Sequence, residues 1–197
     1  MTYYKLTNRK YRTRSGTQWG EGVTHKATGS GTELCSADVI HVYDHPLKAA
    51  IFNPIHAAIV KPVLWECEID KVVANDSLKV GVKSCTTIRQ IPLPELTLNQ
   101  RVRFAILCAL KVYHEKSFTE WAKNWMDGNN RTAEAAEAAA WAAAEAAGAA
   151  EAAAEAAEAA EAAVRAAWAA GAAARAAGAA ANIDFVSLIE RAIGEEK

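Results

Sequence analysis

The stretch Val63-Leu64-Trp65-Glu66-Cys67-Glu68-Ile69 decides the fold. It alternates around Trp65, Cys67 and Ile69, the period of a strand with one face turned to a core. Working outward, Val72-Val73 reads as its continuation and Asn75-Asp76 as a turn. Leu78 to Val82 is a further strand, and Thr86 to Ile91 a last one that Pro92 and Pro94 stop. Upstream, Tyr3 to Thr7 is aromatic and β-branched, as strands are. Gln18 to Thr24 reads as a strand with glycine bulges, Gly29-Ser30-Gly31 as a turn, and Val39 to Tyr43 as another strand. Asp44-His45-Pro46 carries a capping residue and a first-turn proline, which predicts a helix to about Phe52. Asn53-Pro54 interrupts it, and a second turn follows through Ala58.

Beyond the strands the period changes. Thr97-Leu98-Asn99-Gln100 fits a capping box, and Val102, Ala105, Ile106, Ala109, Val112 and Tyr113 then recur at helical spacing. Ser117-Phe118-Thr119-Glu120 is a second box, opening a short helix with Trp121, Trp125 and Met126 that ends at Asp127-Gly128. Both helices are expected to pack on one face of the sheet. The predicted fold class is therefore α+β: a small, mostly antiparallel sheet domain with two packed helices over residues 1–130.

Residues 131–181 are of another kind. From Thr132 to Ala181 roughly two-thirds of the positions are alanine, the strongest helix former. The others recur in steps of three or four, through Glu134, Glu137, Trp141, Glu145, Gly148 and Glu151 to Trp168, Gly171, Arg175 and Gly178. That rhythm is near the heptad period and predicts a long helix or helical hairpin that pairs closely with a copy of itself or folds on its own domain. Trp141, Gly148, Trp168, Gly171 and Gly178 are the expected oligomer interface. A rigid solvated spacer is the alternative. Residues 182–197 carry Val186, Leu188, Ile189 and Ile193 at helical spacing and are expected to form an amphipathic docking helix.

Charge divides at the same place. Residues 1–131 carry 18 Lys/Arg against 12 Asp/Glu, whereas residues 132–197 carry 4 against 11. Such asymmetry draws the two parts, or neighbouring subunits, together. A basic, tyrosine-rich opening (Tyr3, Tyr4, Lys5, Arg9, Lys10, Tyr11, Arg12) also admits nucleic acid, which is not favoured. Cys35, Cys67, Cys85 and Cys108 lie far apart with no C-x-x-C pair, so neither a zinc ribbon nor a disulfide framework is indicated. No leader and no membrane span are expected. The simplest reading is a cytoplasmic protein with free thiols.

No G-x-x-x-x-G-K-[ST], H-E-x-x-H or G-x-S-x-G motif specifies a reaction. His41 and His45 stand four apart, but on a strand and at a helix start, so a helical metal pair is not formed; no metal and no cofactor are expected. Trp19, His25, Tyr43, Asn53 and His56 are the candidate ligand-binding residues.

A resemblance adds context. The runs Leu34-Cys35-Ser36, Ile40-His41-Val42-Tyr43, His45-Pro46-Leu47-Lys48-Ala49-Ala50, Leu64-Trp65-Glu66-Cys67-Glu68-Ile69 and Lys79-Val80-Gly81-Val82-Lys83 resemble an uncharacterised domain family of tailed bacteriophages and prophages. Its members often end in alanine-rich tails. Ala37-Asp38 stands where that family often has a glycine. The resemblance implies the cytoplasm of an infected bacterial host. The leading expectation is an accessory protein that acts by binding a host protein or a small nucleotide-like ligand, as a helix-mediated oligomer. The second is an enzyme similar to ADP-ribosyltransferases, an analogy of strand order only, using Tyr4, His41 and Glu66 or Glu68. The third is a purely structural helical scaffold.

Overall fold

The computed structural model describes residues 2–13, 15–111, 114, 116–129 and 183–194. The alanine tract, with Trp141, Gly148, Trp168, Gly171 and Gly178, lies outside the described residues, as do Val112 and Tyr113. The chain divides into two compact units, residues 1–95 and 96–197. The described residues combine antiparallel sheets with α-helices, an α+β composition.

In the first unit, β1 (Tyr3–Thr7), β4 (Val63–Ile69), β7 (Ser84–Ile91) and β2 (Thr24–Lys26) form one sheet in the order β1-β4-β7-β2. A second sheet is built from β3 (Ile40–Val42), β6 (Val80–Val82) and β5 (Val72–Asn75), in the order β3-β6-β5. All pairings between these strands are antiparallel. The sheets meet where Tyr4 and Tyr43 exchange backbone hydrogen bonds, each of 2.8 Å. One core serves both. Tyr3, Trp65, Cys67 and Cys85 enter it from the first sheet, Val42, Val80 and Val82 from the second, and Trp19 from a loop. Trp65 is 2% exposed, and its Nε1 donates to the buried Thr7 Oγ1 at 2.9 Å.

Within the first unit the structure departs from the sequence reading in three places. Val72 and Val73 do not continue β4; they enter the second sheet through β5, after a turn at Asp70 whose carboxylate accepts from Ser84 N at 3.0 Å. Gln18 to Val23 is not a strand, because Gly22 adopts φ +71 and breaks the extended run. The segment still reaches β7, through Gly22 N to Thr87 O at 2.7 Å and Thr87 N to Val23 O at 3.0 Å. Finally, the first helix, α1 (Pro46–His56), runs through Pro54 instead of stopping before it. Pro54 withholds a single helical N–H, and Asn53 closes the last turn around it. The Asn53 carbonyl accepts from Ala57 N and Ala58 N, and its side chain bonds Ile59 O at 2.9 Å and Ile59 N at 3.2 Å. At the other end His45 is the N-cap, accepting from Leu47 N. α1 packs against β1.

In the second unit, α2 (Leu98–Ala109) starts at the expected capping box, with both reciprocal Thr97–Gln100 bonds made. Every residue from Val102 to Ala109 is buried, more than a single stripe supplies. Two neighbours account for this. α3 (Lys116–Met126) contributes Phe118, Ala122 and Trp125 to a cluster with Val102, Ile106 and Ala109. α4 (Phe185–Gly194) packs on α2 with Phe185, Leu188, Ile189 and Ala192 buried, the Phe185 ring lying 6.4 Å from that of Phe104. α3 begins at Lys116, so Ser117 is inside the helix and not its cap. Arg103 donates to Met126 O at 3.1 Å, which serves the carbonyl end of α3. Among the described residues, no helix is long and apolar enough to cross a membrane.

Candidate functional site

Residues 27–39, between β2 and β3, form a loop tied together by its own backbone and by one lysine. Lys83, the single residue between β6 and β7, extends its ammonium beneath the loop. Nζ donates to Gly29 O at 3.1 Å, to Asp38 O at 2.6 Å and to Gly31 O. Asp38 clamps the loop across its width, its Oδ1 accepting from Gly31 N at 3.0 Å while Gly29 N donates to Ala37 O at 2.9 Å. The chain passes so close that a Cβ on Gly29 would lie 2.9 Å from the Asp38 backbone. The base of the loop rests on Gly81 of β6, where a Cβ would meet Leu34 and Val39 at 3.1 Å. Thr28, Ser30, Thr32, Glu33, Cys35 and Ala37 remain exposed. A polar rim on a fixed backbone is how a scaffold presents a recognition loop.

His41 ties the loop to β3. Its Nε2 accepts from Cys35 N at 2.9 Å, and Cys35 sits at φ +66, a left-handed conformation this bond helps hold. Burial first, then the Lys5 and Lys79 charges, push the His41 imidazole down to about 4, against a smaller opposing pull from Asp76. The neutral ring keeps Nε2 free to accept. The folded state resists protonation while an unfolded His takes a proton near 6.5, so the unfolded chain binds more protons between those values. The His41 contribution is therefore complete above about pH 6.5, and it falls as pH drops toward 4. An NMR titration of the His41 ring should show a midpoint near 4, with the Cys35 amide resonance moving in the same transition. A midpoint near 6.5 would contradict the geometry.

Lys79 and Asp76 lie near enough for their charges to act on His41. Lys79 Nζ donates to Cys35 Sγ at 3.1 Å and lies 3.8 Å from Asp76 Oδ2. The Tyr43 phenol is raised by burial and then by the Asp76 carboxylate. Its oxygen lies 3.4 Å from His56 Nδ1, the two rings are stacked, and His56 also stacks on Phe52. Among the described residues, no group of three or more His, Cys, Asp or Glu side chains could hold a metal ion.

The other candidate residues are spread through the first unit. Trp19 is 3% exposed, its ring 4.6 Å edge-on to His25, which bonds Gln18 O at 2.7 Å. Asn53 is occupied at the end of α1. Of the five ligand-binding candidates, Trp19 meets His25 and Tyr43 meets His56, whereas the Asn53 side chain bonds Ile59. Tyr4 and Glu66 are cross-strand neighbours, and Glu66 forms an ion pair with Arg89. Glu68 is exposed and opposite Thr86 on β7, whereas His41 belongs to the other sheet. Lys5, only 8% exposed, carries no mark in the sequence that sets it apart from its neighbours. Its Nζ donates to His41 O at 2.7 Å and lies 5.1 Å from the centre of the Trp19 ring. Burial lowers its affinity for the proton, opposed by nearby Cys85 and Cys67. Comparison with family models, curated proteins and solved structures found no match.

Proposed function

We propose that the chain is a phage-encoded accessory protein that binds a protein partner through the loop 27–39. It acts in the host cytoplasm, as an oligomer joined by its alanine tract. The observation that carries this reading is the fixation of the loop by Lys83, with its polar side chains left outward. Preorganisation lowers the ordering cost of binding. A nucleotide-like ligand has less support: the Gly29 and Gly31 amides, which would have to cradle phosphate, already serve Ala37 and Asp38. Catalysis has less support as well. Glu66 is held by Arg89, and the His41 acceptor nitrogen is engaged by a backbone amide.

The test is site-specific photocrosslinking in bacterial cells, with the crosslinker at Thr32 and, as a control, at Glu68. A single protein adduct at Thr32, absent at Glu68 and lost when Lys83→Met is added, is the expected result. Equal adducts at both positions, or an adduct indifferent to Lys83, would sink the loop as the recognition element.

A further inference from the structure

The exposed thiol of Cys35 is one half of a fixed sulfur–amine pair. Lys79 Nζ lies 3.1 Å from Cys35 Sγ. Both ends of the contact are held. Cys35 is fixed by the bond from its own N–H to His41 Nε2. Lys79 is fixed by its backbone N–H to Asp76 Oδ1 at 2.8 Å and by the 3.8 Å approach of Nζ to Asp76 Oδ2. Reacting atoms held about 3–3.5 Å apart are already at the separation from which a bond forms. The remaining cysteines, Cys67, Cys85 and Cys108, are free and buried, which leaves Cys35 as the accessible thiol among the four.

We propose that Cys35 and Lys79 form a reversible covalent cross-link in response to peroxide, a sulfenamide between Sγ and Nζ. In the first step the sulfur attacks one peroxide oxygen and the O–O bond breaks. The thiol becomes a sulfenic acid, and one water leaves; sulfur loses two electrons and the peroxide gains them. In the second, the Lys79 amine, having given a proton to solvent, attacks that sulfur. The S–O bond breaks, and the departing hydroxide takes a proton from nitrogen to leave as a second water. A thiol reductant reverses the link: two reductant thiols become a disulfide, and the Cys35 thiol and Lys79 amine return. The cross-link ties the loop 27–39 to the β5–β6 turn. Its chemistry is independent of what the loop binds; only the consequence for a partner rests on the binding reading.

The experiment is a hydrogen peroxide titration of the full chain, followed by intact mass and peptide mapping. Expected is a product about 2 Da lighter than the reduced chain, with the Cys35 peptide joined to the Lys79 peptide, and restored by dithiothreitol. In Lys79→Met, Cys35 should stop at the sulfenic acid and be trapped by dimedone at least about five times more than in the wild type. Lys79→Arg, which keeps the positive charge, should also lack the cross-linked peptide pair. Equal dimedone trapping in wild type and Lys79→Met, with no joined peptides, overturns the proposal. So does a mass loss that maps to a disulfide, or a joined pair that retains an oxygen atom.

Discussion

Replacing Trp65 by alanine should destabilise the first unit by about 3–5 kcal/mol, the range for removing a large aromatic side chain from a packed core. Two effects add. The ring belongs to the core that the two sheets share, in one cluster with Tyr3, Cys67, Val42 and Val80, and Tyr11 packs edge-on at 5.1 Å. Its Nε1 is also a hydrogen-bond partner of the wholly buried Thr7 hydroxyl. A buried hydroxyl deprived of a partner costs about 1–3 kcal/mol. Trp65→Phe separates the two, since it keeps most of the volume and removes the donor; it should cost about 1–3 kcal/mol. Urea unfolding followed by circular dichroism measures both. A loss below about 1 kcal/mol for Trp65→Ala would contradict a core built on this residue. Domain stabilities are commonly about 5–15 kcal/mol, so the alanine variant should have a clearly lower unfolding midpoint.

Lys83→Met is expected to act locally. Methionine keeps an apolar stem of similar length but withdraws the ammonium from the carbonyls of Gly29, Gly31 and Asp38. Each hydrogen bond to a charged group is worth about 1.5–3 kcal/mol, and bonds sharing one donor do not add in full. A local loss of about 2–3 kcal/mol corresponds to exchange of the Gly29 and Gly31 amides about 30 to 150 times faster. The strands should hardly respond, because no residue of the loop belongs to the core cluster around Trp65. A uniform acceleration across β4 and β7 would mean that Lys83 supports the whole unit.

The contrast between these residues also explains what is legible in the sequence. β4 follows from alternation, since Trp65 and Cys67 face a core and Glu68 faces water; β1 follows from its aromatic and β-branched residues, and the end of β7 from the prolines beyond it. The capping box at Thr97 is a local signal read over four residues, and both its bonds are made. The continuation of α1 through Pro54 is not legible. It depends on Asn53 bonding Ile59, and an Asn-Pro pair by itself argues for an interruption. The assignment of Val72 to a second sheet depends on its pairing with Val82, which periodicity does not encode.

Of the candidate site, the histidine and the glycine turn are legible. His41 stands out in an apolar strand, with Cys35 a few residues before it. Lys83 and Lys79 carry no such mark, because their partners are distant in the chain. The three Lys83 carbonyls lie 54, 52 and 45 residues away, and Cys35 lies 44 residues from Lys79. A lysine beside an alternating strand reads as a solvated face until the fold brings those carbonyls over it. The Gly29-Ser30-Gly31 turn is legible as a turn; its close passage over Asp38 is not.

Whether the loop is fixed before any partner arrives is read directly by amide hydrogen exchange of the free chain. The Gly29 and Gly31 amides should be protected in the wild type, and Lys83→Met should remove the protection while β4 remains protected. Exchange of both amides in the wild type at the rate of an unstructured peptide would contradict a preformed recognition loop.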